Sequence, residues 1–284
     1  HAPHEVIVIN DASTDDSVRI IESSPLDVRL LHCEHRNGAA TRNVGIDAAK
    51  GDWIAFLDAD DLWRPNHLER AERLLSEGND VAYHAHSDWL VEGVGESSTP
   101  NPWPIAEATC GLSSDQFLDF FSEHLVFNTS SVVIQRAILV ARGMFDAMFI
   151  RRHDMDMWLR VTKGRTWCYD PVPSSVYRRD VPGSISNVNW ASSEWWHLKM
   201  LLKNADDYDT AAMRWLLRAA ARRTMASAFT DGRTEDIAKA IKLSWPHLEV
   251  KHRFIFAGAK NCPRIFRWAN RRRRSKIHAV RSIL

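Results

Sequence analysis

The run Asp52-Trp53-Ile54-Ala55-Phe56-Leu57-Asp58-Ala59-Asp60-Asp61 decides the reading of this chain. A short apolar core, Trp53 to Leu57, has the character of a buried strand and delivers three carboxylates within four residues. Clustered carboxylates repel one another, and burial disfavours each ionised form. A hard divalent cation resolves that conflict, because Mg2+ and Mn2+ prefer oxygen ligands and share them with phosphates. The run points to a metal–phosphate site at the carboxyl end of a strand, the edge where open α/β sheets bind ligands.

On either side, short apolar runs alternate with helical patterns. Strands are expected at Val6–Ile9, Val28–His32, Val81–His84, Val132–Ile134 and Val172–Tyr177. Helices are expected from Ser17, over 39–50, 66–77 and 114–124, at Arg136–Arg142 and at Asp154–Lys163. This alternation predicts an α/β domain with a mostly parallel sheet flanked by helices. From about Trp190 the pattern is wholly helical, which predicts two regions, 1–188 and a helical extension over 189–284.

The 284 residues are 45% hydrophobic and 26% charged, ample for a soluble core. Cys33, Cys110, Cys168 and Cys262 stand singly, so spacing suggests neither a zinc site nor a disulfide framework, and a reducing compartment fits. The net charge of +1 hides an asymmetry: residues 251–284 hold eleven Lys or Arg and no acid, which leaves a balance of −10 before them. That tail mixes aromatics with cations, among them Arg271–Arg274. The mixture suits peripheral contact with an anionic membrane face, the alternative being a solvated basic tail. No groove-reading motif accompanies the charge, so nucleic acid is not an expected partner.

Four segments, Asn10–Asp16, Arg36–Gly45, Asp58–Asp61 and His153–Arg160, resemble in that order motifs of the family 2 glycosyltransferases. Asn10-Asp11-Ala-Ser-Thr-Asp15-Asp16 resembles their "DDGSTD" segment, and the stretch from Arg36 through Arg42-Asn43 to Gly45 resembles "N-x-G-x-x-x-A-R-N-x-G". Asp58-Ala59-Asp60-Asp61 resembles the DxD motif, and His153-Asp154-Met-Asp-Met-Trp158-Leu-Arg160 resembles "E-D-x-x-x-W-x-R".

The resemblance implies a GT-A, Rossmann-like fold and an inverting glycosyltransferase. Its donor would be a nucleotide-sugar, a UDP-sugar foremost, and its acceptor a glycan or lipid-linked hydroxyl. This would be cell-envelope or polysaccharide chemistry on the cytoplasmic side. Asp11, Asp15 and Arg42 would then line the nucleotide pocket, although Asp15 is open to a plain capping role. Asp60 would bind Mg2+ or Mn2+ with Asp58 beside it, Asp154 would be the catalytic base, and Arg178 would clamp the diphosphate or lie at the surface. Asp61 reads as a helix-start or solvated acid. Asp156, two residues from Asp154, would point roughly 200° away on a helix, so only one of the two should face the cleft.

Departures are visible. His153 stands at the family's usual Glu, and Asp180 where a His is common. The family's opening strand is missing, which predicts an unpaired apolar sheet edge, and restoring an upstream segment should then raise solubility and donor binding. Twelve tryptophans invite a sugar-stacking role for Trp63, Trp89, Trp103 or Trp158, but most tryptophans serve the core. Asp88 follows a strand and could reach acceptor or metal, while His84 and His86 read as ordinary strand histidines. Two other readings remain: a HAD-type phosphohydrolase, for which Leu62 stands where Thr or Val is expected, and a catalytically silent nucleotide-sugar or membrane-binding module.

Overall fold

The computed structural model describes residues 2–76, 78, 80–91, 95–97, 105–123, 128–179, 190–208, 210–231, 241–250, 252, 253, 256 and 257. Trp103, Asp180 and the basic tail beyond 257 lie outside them. The chain forms two units, residues 1–187 and 188–284.

The first unit is α/β. Its strands are β1 (Val6–Asp11), β2 (Val28–Cys33), β3 (Trp53–Ala55), β4 (Leu62–Trp63), β5 (Ala82–Val91), β6 (Gly95–Ser97), β7 (Thr109–Leu112), β8 (Val132–Gln135) and β9 (Trp167–Arg179). Its helices are α1 (Ser17–Glu22), α2 (Gly38–Ala48), α3 (His67–Ser76), α4 (Ser114–Glu123), α5 (Arg136–Ala141) and α6 (His153–Thr162). β1 and β2 pair in parallel as one small sheet, and a seven-stranded sheet runs β3-β8-β5-β9-β4 with β6 on β5 and β7 on β9.

The layering is as expected, but the sheet is mixed rather than mostly parallel. Among the described strands only β1–β2 and β5–β9 pair in parallel, and the other five pairings are antiparallel. The alternation of strands and helices that suggests parallel crossovers holds as far as β3, which β4 follows with no helix between. Afterwards β8 returns antiparallel between β3 and β5. The second edges of β1 and β3 carry no strand among the described residues.

β9 is longer than its apolar pattern suggests. Opposite β5, the register jumps from Ala85↔Asp170 to Ser87↔Ser175. The extra residues include Pro171 and Pro173, which cannot donate to a ladder and are tolerated at such a bulge. The bulge turns Ser174 inward, where its hydroxyl meets Nδ1 of buried His67 at 2.8 Å.

The core around Tyr83, Val133, Cys168, Leu74 and Leu75 joins α3 to the sheet. A second, aromatic cluster positions the acid loop. Phe56 packs edge-on to Phe145 at 5.5 Å and against Trp158 at 6.0 Å, and Phe145 meets Trp158 at 5.7 Å. Phe56 lies in the apolar run two residues before Asp58, and Trp158 is fully buried on α6. The cluster therefore clamps the start of the loop against the helix that carries Asp154. Trp53 and Leu57 are 36% and 48% exposed, so the run is half-buried, not buried throughout as its composition implies.

Cys110 and Cys168 form a disulfide between the adjacent strands β7 and β9. This corrects the expectation of four single cysteines. Sheet register brings together residues 58 apart, and no spacing rule reports that. The pairing also removes cysteine usage as an argument for a reducing compartment.

In the second unit, α7 (Trp190–Asn204) and α8 (Ala211–Asp231) bury Leu198, Leu201, Leu216 and Met225. Arg223 pairs with Glu194 at 2.9 Å. No described helix is long and apolar enough to cross a membrane.

Candidate active site

The site assembles from four loop ends. Asp11, at the end of β1, is committed to the chain itself. Its Oδ1 accepts the Arg36 N–H at 2.8 Å, and its Oδ2 accepts the Asn37 N–H at 3.1 Å and the Thr41 hydroxyl at 2.6 Å. Burial opposes ionisation, but the Thr41 hydroxyl and the two backbone donors outweigh it and hold the Asp11 pKa at about 2. These bonds fix the turn entering α2, where Arg36 adopts a left-handed φ of 49° and the Asn37 side chain caps Ala39 and Ala40. Asp15 is exposed and accepts the Ser17 N–H at 3.0 Å, a capping contact at the start of α1.

α2 delivers Arg42 to the acid loop. Asn43 locks the helix in place by exchanging two hydrogen bonds with the Phe145 backbone, at 2.8 and 2.9 Å. Arg42 then donates to Asp58, to the Gly38 carbonyl at 3.2 Å and to His153 Nε2 at 2.8 Å, with its guanidinium 5.8 Å from the Phe145 ring centre. A Cβ at Gly38 would come within 3.1 Å of that guanidinium, so the close approach favours glycine there.

The three loop carboxylates differ. Asp58 is part-buried and ion-paired with Arg42. Asp60 is half-buried and makes no hydrogen bond or ion pair among the described residues. Asp61 is 5% exposed, which corrects the reading of it as a solvated acid. Its Oδ2 accepts the Ser130 hydroxyl at 2.6 Å and its Oδ1 accepts the Arg178 N–H at 2.9 Å. Burial pushes its pKa up to about 6 against those two donors. Ser130 also accepts the Asp58 N–H at 3.0 Å, so Asp61 and Ser130 together brace the loop. Nothing in the sequence marks Ser130, which lies 69 residues away.

The fit to a divalent cation rests on this loop. Asp60 offers an uncommitted carboxylate, Asp58 a second one beside it, and the Asp61–Ser130 bracing fixes the turn between them. Two carboxylates with phosphate and water oxygens suit Mg2+ or Mn2+. The one described group of three ligand atoms within 4.8 Å is Asp80, Cys110 and Cys168, away from this loop, and its two sulfurs are disulfide-bonded.

α6 separates its two acids. Asp156 is fully buried and pairs with Arg160 at 2.8 Å, whose guanidinium also holds the Arg142 and Met144 carbonyls. Asp154 is half-buried in the first turn, and its Oδ1 accepts the Met155 N–H at 2.8 Å. The residue preceding the helix is Arg152, in a left-handed conformation, so Asp154 is not the N-cap. His153, next to Asp154, reaches Arg42 and through it Asp58. One hydrogen-bonded chain thus links the acid loop to the start of α6.

The remaining residues separate into scaffold and surface. The Arg178 side chain is exposed and has no partner among the described residues. Asp88 is buried and pairs with Arg64 at 2.8 Å, and its Oδ1 is unpartnered. Trp158 is core, and Trp63 stacks on His67 at 4.7 Å and donates to the Ser130 carbonyl at 2.6 Å. Trp89 is 36% exposed on β5. His84 is buried among Phe117, Trp158 and Trp167.

Residues 1–137 match the model of the family "Glycosyl transferase family 2". The chain is 32% identical over 169 residues to the amylovoran biosynthesis glycosyltransferase AmsB of Erwinia amylovora, covering 56% of this chain and 54% of that protein. It is 41% identical over 122 residues to an uncharacterized glycosyltransferase of Rickettsia bellii (strain RML369-C), covering 40% of this chain and 18% of that one. The chain thus spans about half, or less, of these two relatives. Among solved structures it is similar to residues 1–349 of TarS from S. aureus in complex with UDP-GlcNAc. That likeness has a TM-score of 0.66 and 15% identity over 87% of this chain and 73% of that one, and it shows a shared fold.

Proposed function

We propose that this chain, which belongs through residues 1–137 to glycosyltransferase family 2, transfers a sugar from a nucleoside diphosphate-sugar to an acceptor hydroxyl with inversion at the anomeric carbon. The observation that carries the reading is the linked set Asp58–Arg42–His153. It couples a carboxylate loop suited to a cation with a helix start bearing a half-buried acid. A UDP-sugar is the favoured donor, and the TarS complex with UDP-GlcNAc supports that class. A glycan or lipid-linked acceptor of the cell envelope agrees with the name of AmsB. The basic C-terminus would serve peripheral membrane contact.

In this mechanism Asp60 and Asp58 would hold Mg2+ or Mn2+, which would supply Lewis-acid stabilisation for charge on the diphosphate. Arg42 and Arg178 add positive charge for the same diphosphate oxygens. Asp11 and Asp15 border the nucleoside. Asp154 accepts the proton of the acceptor hydroxyl as its oxygen bonds to the anomeric carbon. The glycosidic bond to the diphosphate breaks on the opposite face, the nucleoside diphosphate leaves, and one such displacement inverts the centre.

The test is a thermal-shift panel of UDP-, GDP- and dTDP-sugars, with and without Mn2+, on the wild type and Asp60→Asn. Stabilisation follows RT ln(1 + [L]/Kd), so the right nucleotide stands out. The reading predicts a Mn2+-dependent shift with one nucleotide that Asp60→Asn removes. Shifts independent of metal, or none with any nucleotide, would count against it.

A further inference from the structure

We infer that His153, as a neutral ring protonated on Nδ1, is the positioning residue that holds Arg42 for the donor diphosphate. The inference rests on the proposed role of Arg42 in binding the donor. Arginine has no acceptor and stays charged in proteins, so the 2.8 Å contact between the Arg42 guanidinium and His153 Nε2 has one polarity. Nε2 must offer its lone pair, and the ring proton must sit on Nδ1. Burial lowers the basicity of His153 first, and the Arg42 charge lowers it further against the pull of Asp154. Nδ1 is buried and has no hydrogen-bond partner among the described residues, and the Phe149 backbone favours the protonated ring.

Among the described residues, three acceptors surround the Arg42 guanidinium: the Gly38 carbonyl, Asp58 and His153. Gly38 lies on the same helix and cannot set the helix relative to the acid loop. Asp58 and His153 come from separate elements, and together they orient the fork. Asp58 is also the companion ligand of the proposed cation. A cation there competes with Arg42 for its oxygens, and His153 is then the one side-chain acceptor left to keep the arginine in place. A glutamate, usual at this position in the related family, would hold Arg42 too, but between two negative charges. A neutral histidine gives the same hydrogen bond and leaves more of the arginine's positive field for a diphosphate.

Two readouts test this. Long-range 1H–15N correlation on the unaltered chain at pH 7.5 should show His153 unprotonated at Nε2 and protonated at Nδ1. A ring protonated at Nε2, or at both nitrogens, overturns the inference. The second readout is UDP binding in Mn2+ by calorimetry. His153→Leu removes the acceptor and should raise Kd about tenfold, in the range expected for a hydrogen bond to a charged group. His153→Gln can present its amide oxygen to Arg42 and should bind within about threefold of the wild type. Equal Kd values for the Leu and Gln proteins overturn the inference. Should the wild type bind no UDP, the reading of function fails, and the tautomer by itself decides on His153. If the Leu protein does not fold, the tautomer and the Gln protein decide together: an Nδ1–H ring with Gln binding preserved supports the inference, and a Gln protein weakened tenfold or more overturns it.

Discussion

The loop at Asp58–Asp61 and the first turn of α6 each carry neighbouring carboxylates, and each sets a buried, committed acid beside one with capacity to spare; the loop's third, Asp58, pairs with Arg42. In the loop, Asp61 is buried and bonded while Asp60 has no partner among the described residues. On α6, Asp156 is fully buried against Arg160, while Asp154 is half-buried and, among the described residues, bonded to its neighbour's N–H alone. The buried member builds the scaffold, and the other is the one the proposed mechanism uses. The two regions differ in how the scaffold acid is neutralised. Asp156 faces a cation, and its Arg160 partner also clamps the turn that follows α5. Asp61 has a hydroxyl and a backbone N–H, which do not offset its desolvation, so its pKa rises to about 6. A buried charge with a cationic partner and one with neutral donors should therefore respond differently to deletion.

The largest stability effect is expected at Asp156. Asp156→Ala strands the Arg160 charge at a site only 14% exposed, and breaking such a pair costs about 3–5 kcal/mol. Urea unfolding measures it, and a loss under about 1 kcal/mol would break the comparison. Asp61→Ala should cost less, about 1–3 kcal/mol, because it leaves neutral donors behind and removes a charge held at some cost. Matching losses at the two sites would mean that the partner's charge does not matter. The smallest effect is the acid limb at Asp11. Its folded pKa of about 2 lies below the ordinary 3.8, so its bonds stabilise the fold above about pH 4 and fade as pH falls toward 2. Asp11→Asn should lose less stability than the wild type across that window. An identical acid limb would show that the Thr41, Arg36 and Asn37 bonds add nothing.

Much of this division was legible in the sequence, and the rest failed for a common reason. Helix geometry separated Asp154 from Asp156, since residues two apart point to different sides. Local pattern also placed α2, α3 and α6 to within a few residues. The burial of Asp61 is not visible in the sequence because its partners, Ser130 and Arg178, lie 69 and 117 positions away. The Cys110–Cys168 disulfide and the antiparallel course of β8 were hidden likewise, because strand pairing depends on register between distant segments. The β9 bulge was hidden by its prolines, which end a strand signal without ending the strand.

The account stands on Asp154 as the acid left free to take a proton. The direct test is Asp154→Asn, with sugar transfer and Mn2+-dependent UDP binding measured on the same preparation. Asparagine keeps the shape of the side chain and its acceptor for the Met155 N–H, but it cannot act as a base. Transfer should fall about 100- to 10,000-fold, the usual contribution of a general base, with UDP affinity within about threefold of the wild type. Transfer at the wild-type rate, with binding intact, would contradict the assignment of Asp154.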